Sequence, residues 1–250
     1  MRERLVARWQ GILLSLVGIV ATGWLAATGQ LGLYIHPRYF EFTVIMAVIA
    51  SVLTVAAFAV APLPDGHEHR ESDEHRAGGR IRAILGAVVV VAAAVALLAL
   101  PPATLTSATA SQRSINTSAV SGGTDSPDLV GGDTSQFTVK DWAVLLRQNP
   151  DPDFFAGRSL EVTGFVTASP DDPENVFYIA RFTVTCCAVD AQPVGVPVHL
   201  PGWRDQFEPD QWVTATGIFE ANVGSTSAET LLLTPDDIAV TDRPDEPYVF

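Results

Sequence analysis

The sequence has little cysteine and lacks the signatures of common enzyme classes. Its 250 residues include two cysteines, the neighbours Cys186 and Cys187 in RFTVTCCAVDAQPV (181–194). It contains no nucleotide-binding glycine loop, no G-x-S-x-G and no H-E-x-x-H, which argues against the enzymes that those motifs mark. We therefore predict that the protein is not an enzyme.

Charged residues are nearly absent from three apolar runs in the first hundred positions, 12–33, 42–63 and 81–100. A helix rises about 1.5 Å per residue, so each run is long enough to cross a hydrocarbon core of about 30 Å. We predict a helical region, 1–100, with three transmembrane helices. Because no charge lies in the interior of these spans to form an ion pathway, an autonomous transporter is disfavoured.

Arginines flank the apolar runs unevenly. A basic segment precedes the first run, so a cleaved signal peptide is an alternative there, but the run is longer than a typical h-region and two spans follow it. Further arginines lie between the second and third runs, and the positive-inside rule therefore places the N-terminus in the cytoplasm. Everything after Leu100 is then extracytoplasmic, and we expect a multi-pass protein of the plasma membrane.

The second part of the chain has few basic residues, because residues 101–250 carry 7 Lys and Arg against 21 Asp and Glu. This acidity repels nucleic acid, which we exclude as a partner, and tolerates cations. Residues 101–136 are rich in Ser, Thr, Gly and Pro without a periodic apolar face, which predicts a flexible linker. Residues 137–250 form the predicted extracytoplasmic domain.

Alternating apolar and polar residues predict an all-β fold for this domain. A short helix capped by Thr138 and Asp141 comes first. Strand-like runs follow at 159–168, 175–186, 195–200, 211–220 and 229–240. Gly164 and Gly217 occupy equivalent positions in two similar runs, where they would permit bends. We predict a small OB-like barrel, with a β-sandwich as the competing fold.

The two cysteines lie at the end of the second strand-like run, where neighbouring side chains of a regular strand point to opposite faces. They can act together only if the chain bends there, which the following AVDAQPVG allows. Three interpretations remain open. The pair forms a strained vicinal disulfide; it binds a cation such as zinc with Asp190 or His199; or Cys186 is a core residue and Cys187 an accidental neighbour.

The histidines carry a weaker metal signal. In DGHEHRESDEH (65–75), His67, His69 and His75 stand among acidic residues, a mixture that divalent ions accept and that an ordinary solvated loop also explains. His36, in LYIHPRYF (33–40), lies between the first two spans. Pro37 makes a turn there, and we expect contact with membrane lipid headgroups.

These segments together resemble the YcgQ-like family of bacterial membrane proteins, described as subunits of a two-component permease. The resemblance covers the whole chain, and CC-A-x-D-A (186–191) is its most specific part. It implies a separate multi-span permease of the YcgR/YraQ type as partner and a metal ion or other small inorganic solute as cargo. The positions that carry the family signatures are His36, Pro37, Arg181, Phe182, Cys186, Cys187, Asp190 and Pro193.

The resemblance favours a functional cysteine pair over a core accident. We therefore expect a three-span anchor that holds an acidic OB-like domain outside the bacterial cell, beside the permease. There Cys186, Cys187, Asp190 and His199 would receive a divalent cation such as zinc. An extracytoplasmic redox or assembly factor, whose cysteines cycle between dithiol and disulfide, is the alternative. A purely structural accessory domain is a third interpretation.

Overall fold

The long helices precede the strands along the chain, as predicted. The computed structural model describes residues 2–60, 73–98, 100, 104–117 and 134–250. It divides into two units, Met1–Ala103 and Thr104–Phe250. The first unit is helical, and the second contains a six-stranded sheet.

The described part of the first unit forms the long helices α1 (Arg2–Ala27), α2 (Phe40–Val60) and α3 (Asp73–Leu98). One stretch, Pro37–Ala57, is long and apolar enough to cross a membrane by length and composition. Shorter apolar stretches lie at Gly11–Ala27 and Ile84–Leu97. Among the described residues, one helix is thus clearly membrane-capable, and the three-span topology stays a prediction.

Helix α1 ends earlier than the first predicted span, which extended to position 33. Gly29 follows the helix with a φ of +74°, a left-handed conformation that glycine adopts without a Cβ clash and that commonly ends helices. The next residues form a 3₁₀ turn, Gln30–Leu33, in which Leu31 and Leu33 are buried. The apolar run therefore continues past the helix as part of a packed connection.

The sheet of the second unit consists of β1 (Leu160–Ala168), β2 (Val176–Thr183), β3 (Gln192–His199), β4 (Trp212–Ala221), β5 (Leu231–Val240) and β6 (Tyr248–Val249). The strand order is β1-β4-β5-β3-β2-β6, and β1 also pairs with β2. The β3–β5 and β2–β6 ladders are parallel, whereas the others are antiparallel. The sequence predicted the first five strands and missed β6, which is too short to show a period.

Short helices of this unit are α4 (Ser107–Ala110), α5 (Val139–Gln148) and α6 (Pro152–Phe155). The predicted cap of α5 is confirmed. The Thr138 hydroxyl oxygen accepts the N–H of Asp141 at 3.4 Å, and the Asp141 carboxylate accepts the N–H of Thr138 at 2.7 Å. This capping box fixes where the helix begins, and Trp142 behind it is buried in the core.

Two apolar clusters cover the two faces of β2. Phe177 and Ile179 belong to the larger cluster, which also contains the buried face of α5. Tyr178, Ala180 and Phe182 belong to the smaller cluster. Burying a side chain of this size contributes about 1.5–3 kcal/mol, so both clusters stabilise the strand. The residue after β2 is therefore placed at the edge of a well-packed frame.

Part of the predicted linker is ordered, in contrast to the prediction. Residues 104–117 pack on the smaller cluster, where Ala110 is fully buried and Leu105 and Ile115 are partly buried. These apolar residues have irregular spacing, so no periodic face marks them, yet they cover a sheet face that is already formed. Residues 101–103 and 118–133 lie outside the described part of the chain.

The two predicted bend glycines lie where strands approach closely. A Cβ on Gly164 would lie 2.5 Å from the carbonyl oxygen of Ala180. Gly217 adjoins a register shift in the β4–β5 ladder, and a Cβ there would collide with the carbonyl oxygen of Thr234. Both positions therefore require glycine for close backbone approach.

Candidate metal centre

The cysteines lie in the connection between β2 and β3. Strand β2 ends at Thr183, earlier than predicted, and the next residue, Val184, is buried and donates its N–H to the carbonyl of Val249 at 3.3 Å. A 3₁₀ turn, Ala188–Asp190, follows before β3 begins. Residues 184–191, the cysteine loop, thus carry both thiols outside the sheet.

The bend brings the two thiols together. The Sγ atoms of Cys186 and Cys187 lie 3.5 Å apart, and both cysteines are free. A disulfide bond is about 2.05 Å long, so the pair is a dithiol in this structure. Cys186 is exposed and Cys187 is half-buried, which contradicts the interpretation of Cys186 as a core residue.

The carboxylate of Asp190 organises the loop by accepting three consecutive backbone N–H groups. Thr185 donates to Oδ1 at 3.1 Å, and Cys186 and Cys187 donate to Oδ2 at 2.8 and 3.4 Å. Burial raises the pKa of Asp190, but hydrogen bonds from the Cys186 thiol and from these N–H groups outweigh it and hold the pKa below its usual range. Asp190 is therefore an anion at neutral pH.

The same carboxylate keeps a proton on Cys186. Its hydrogen bond with the thiol, followed by the contact with the Cys187 thiol, raises the pKa of Cys186 to about 12. A carboxylate has about four lone-pair positions, which three N–H groups and one thiol can fill. A cation that binds to Cys186 must therefore displace the thiol proton.

The ligand atoms have a spacing that suits one divalent ion. One atom each from Cys186, Cys187 and Asp190 lies within 4.8 Å of the other two. Tetrahedral zinc with Zn–S bonds of about 2.3 Å would separate two sulfurs by roughly 3.8 Å, close to the observed 3.5 Å. Two sulfurs and a carboxylate suit zinc and similar borderline ions, and they leave a fourth coordination position open.

His199 does not join this group, which corrects the sequence-based expectation. It is the last residue of β3 and pairs with Val176, whereas Gln192 at the other end of β3 pairs with Thr183 beside the cysteine loop. The seven residue steps between these ends span roughly 23 Å, far more than a metal–ligand bond. The expectation failed because the run containing His199 extends away from the cysteines.

The histidine-rich loop supplies no second centre in the part of the chain that the structure describes. His67 and His69 lie outside the described residues, and of His75 the structure describes the backbone alone, in α3. The cysteine loop holds the one group of three potential metal-ligating side chains found among the described residues.

His36 has a structural part in the connection between α1 and α2. It caps a 3₁₀ turn, Pro37–Tyr39, in which its Nδ1 accepts the N–H of Arg38 at 3.1 Å. Its ring meets the ring of Tyr39 edge-on, with centroids 6.3 Å apart. This local turn accounts for the His-Pro pair without a bound ion.

Other signature residues support the cysteine loop. Phe182 is buried and stacks on Phe165 with ring centroids 5.4 Å apart. Pro193 lies opposite Phe182 in the β2–β3 ladder, and its carbonyl accepts the N–H of Asn116 at 3.0 Å. Arg181 precedes Phe182 in β2 and is half-buried. These residues hold the two strands from which the loop extends.

Two residues of segment 104–117 also contact this region, and sequence reasoning missed them. Arg113 donates through Nη2 to the carbonyl of Val189 in the 3₁₀ turn, at 3.2 Å. The side chain of Asn116 forms two hydrogen bonds with the backbone of Gly195 in β3. The sequence carries no signal for these contacts, because both residues lie in a stretch with the composition of a linker.

Two family models together match most of this chain. Residues 11–116 match the DUF1980 N-terminal domain, and residues 133–250 match the DUF1980 C-terminal domain. UPF0703 protein YcgQ of Bacillus subtilis (strain 168) is 28% identical over 104 residues. These residues cover 40% of this chain and 35% of that relative, so this chain matches about a third of the relative's length. The solved structure of OBody AM1L10 bound to hen egg-white lysozyme shares 21% identity, covers 38% of this chain and 89% of that chain, and has a TM-score of 0.23.

Proposed function

The chain belongs to the DUF1980 family, and from this membership and the cysteine loop we propose an accessory subunit of a two-component membrane permease that receives a zinc-like divalent cation. The observation that carries the proposal is the convergence of Cys186, Cys187 and Asp190 within 4.8 Å. The cation is cargo that the subunit binds and passes on. The acidic charge of residues 101–250 supports this role because it raises the local concentration of cations.

The chemistry of the loop suits reversible capture. Three protein ligands leave one coordination position for water or for a receiving group, whereas structural zinc sites are closed by four protein ligands. Cys186 is exposed, so a receiving protein can reach it. Binding releases the thiol protons, and their return favours release of the cation. Affinity therefore falls as pH falls.

We further propose that α1, α2 and α3 anchor the chain in the bacterial plasma membrane, with the N-terminus in the cytoplasm and the cysteine loop outside. The apolar stretch Pro37–Ala57 supports one span, and large apolar side chains on α2 are exposed to the surroundings, including Phe42 at 62% and Val52 at 61%. Such apolar surface is typical of contact with lipid or with a membrane partner. The partner we propose is a multi-span permease of the YcgR/YraQ type.

For the second unit we propose a closed OB-like barrel. The pairings support this fold, because β1 pairs with β2 and β4, β4 with β5, β5 with β3, and β3 with β2. This ladder returns to its first strand, as it does in a barrel, through a β3–β5 ladder that pairs Val198 with Leu233.

Zinc titration of the purified full chain in detergent tests the metal role. We expect one equivalent of zinc per chain, with proton release on binding, measured by competition with a chromogenic chelator. Replacing Cys186 and Cys187 together with Ser should abolish binding. Val189→Ser is the matched control, because Val189 lies in the same loop, is 83% exposed and offers no ligand. Zinc binding that survives the double substitution would contradict the proposal.

The redox alternative predicts a different result. A dithiol that cycles would lose two hydrogen masses on mild oxidation and regain them on reduction, without any effect of chelator. The raised pKa of Cys186 opposes this chemistry, because the thiolate is the nucleophile in thiol–disulfide exchange. Mass spectrometry after thiol alkylation separates the two functions.

Co-purification tests the partner. A tagged chain co-expressed with a permease of the YcgR/YraQ type should retain that permease at a fixed stoichiometry in mild detergent. An unrelated multi-span protein, expressed at the same level, should be lost in the same washes. Equal recovery of both proteins would contradict the proposed pairing.

A further inference from the structure

A cleft of about 500 Å³ opens beside β1 and the beginning of α5. Its volume lies within the range of small-molecule sites. The lining combines one cation, one anion, hydroxyl groups and an apolar ring, contributed among others by Arg181, Glu161, Thr163, Thr216 and Phe137. The cysteine loop contributes no side chain to this cleft.

Arg181 is held in place through one part of its side chain. Its Nε donates to the carbonyl of Thr163 at 2.9 Å, and its Cζ lies 5.3 Å from the ring centroid of Trp212. Its two terminal nitrogens have no hydrogen-bond partner among the described residues, and no carboxylate among them forms an ion pair with it. The guanidinium is therefore positioned while its terminal donors stay available.

A half-buried guanidinium with no carboxylate partner among the described residues is unexpected in a domain with three times as many acidic as basic residues. Partial burial removes water from a charged group, which is unfavourable unless an opposite charge or hydrogen-bond acceptors replace it. The planar arrangement of guanidinium N–H groups matches a carboxylate, which can accept two parallel hydrogen bonds. A bound carboxylate would supply the missing partner.

We propose that this cleft binds a small organic monocarboxylate. The terminal nitrogens of Arg181 hold the carboxylate, and the apolar body of the ligand lies against the half-buried Phe137. Glu161 lines the same cleft and repels a second negative charge, so the site selects monoanions over dianions. This site is additional to the proposed cation site and does not depend on it.

Benzoate and its neutral analogue benzamide test the proposal by isothermal titration of the full chain in detergent. We expect saturable binding of benzoate that exceeds binding of benzamide. Arg181→Gln should weaken benzoate binding about tenfold or more, the loss expected for a charge-assisted hydrogen-bonded pair. Glu161→Gln, a change at an exposed position, should strengthen it by removing the like charge.

Arg204→Gln is the matched control. Arg204 also donates through Nε to a backbone carbonyl, that of Pro173 at 3.3 Å, and its Cζ also lies over a tryptophan, 4.5 Å from the ring centroid of Trp203. It does not line the cleft. We expect unchanged benzoate binding in this variant, and an equal loss in the Arg204 and Arg181 variants would overturn the proposal.

Two other results would also overturn the proposal. One is equal benzoate affinity in the wild type and in Glu161→Gln. This test stands even if Arg181→Gln fails to fold. The second is a higher affinity for inorganic phosphate than for benzoate, because the site would then prefer a more highly charged anion. Near-UV circular dichroism of each variant establishes that the fold is intact.

Discussion

Asn116 holds the backbone of Gly195 through two hydrogen bonds, although 79 positions separate the two residues. The Asn116 Nδ2 donates to the Gly195 carbonyl at 3.0 Å, and the Gly195 N–H donates to Oδ1 at 2.8 Å. Strand β3 pairs with β5 at Val198 and Leu233. The Asn116 side chain therefore supplies hydrogen-bond partners for the N–H and C=O of Gly195, which lies outside the β3–β5 ladder.

Replacing Asn116 with Ala should lower the free energy of unfolding by about 2–4 kcal/mol. Both Gly195 backbone groups would lose a buried partner, and Ala would have to adopt the φ of +64° that Asn116 has. Asn116→Gly loses the same side-chain hydrogen bonds but tolerates this φ, so its loss should be about 1–2 kcal/mol smaller. Urea denaturation followed by tryptophan fluorescence measures both, and equal losses would contradict the backbone contribution.

Asp190→Asn should weaken zinc binding about tenfold or more, because the site loses an anionic ligand and three N–H groups are left with one acceptor oxygen in place of two. Competition with a chromogenic chelator measures the change. Asp236→Asn is the control, since Asp236 is an exposed carboxylate on β5. Equal zinc affinity in the wild type and in Asp190→Asn would exclude Asp190 as a ligand.

Local patterns predicted much of the β fold. The alternation of apolar and polar residues placed five strands within a few positions of the observed ones, because one-sided burial imposes a period of two. The capping box at Thr138 and Asp141 marked the beginning of α5, because both hydrogen bonds form within four consecutive residues. Features that depend on residues close in sequence could therefore be predicted.

Features that depend on contacts between residues distant in sequence could not be predicted. The alternation continues through Val184, so it gave no sign that β2 ends at Thr183. The group formed by the cysteines and Asp190 was predicted, because all of its members lie within five positions. The exclusion of His199 required the strand register, which no single segment specifies.

Gly164→Ala should lower the free energy of unfolding by about 1–3 kcal/mol, because the added Cβ would lie 2.5 Å from the Ala180 carbonyl oxygen and force two strands apart. Gly224→Ala provides the control. A Cβ there meets no atom within 4 Å, and the expected change is within about 0.5 kcal/mol. A similar stability for both variants would show that the strands at Gly164 can separate freely.

Asp172 should make the fold sensitive to acid. The N–H of Thr226 donates to its Oδ2 at 2.9 Å and is the main cause that holds the pKa of Asp172 below its usual range, against the opposing effect of burial. A depressed native pKa gives stability that is present above the ordinary pKa and is lost as pH falls through the native value. Between about pH 5 and 3, the wild type should therefore lose stability more steeply than Asp172→Asn. Parallel stability–pH curves would contradict this role.

The two cysteines should report the orientation of the chain, because it has no others. A membrane-impermeant maleimide added to intact cells should label the exposed Cys186, though slowly, because the raised pKa keeps its thiol protonated and the thiolate is the reactive form. The variant with both cysteines replaced by Ser measures the background. Labelling that occurs only after the cells are permeabilised would place the cysteine loop in the cytoplasm and contradict the proposed topology.

The sheet pairings have a consequence for the order of folding. Strands β2 and β3 form a hairpin whose closing residues, Thr183 and Gln192, are nine positions apart, whereas β1 must find β4 through pairs such as Val162 and Ala215. Contacts between residues close in sequence form faster than distant ones, because shorter loops lose less entropy on closure. The hairpin that carries the dithiol should therefore form ahead of the frame that supports it, so the two thiols are open to oxidants and metal ions while the rest of the domain is still unfolded.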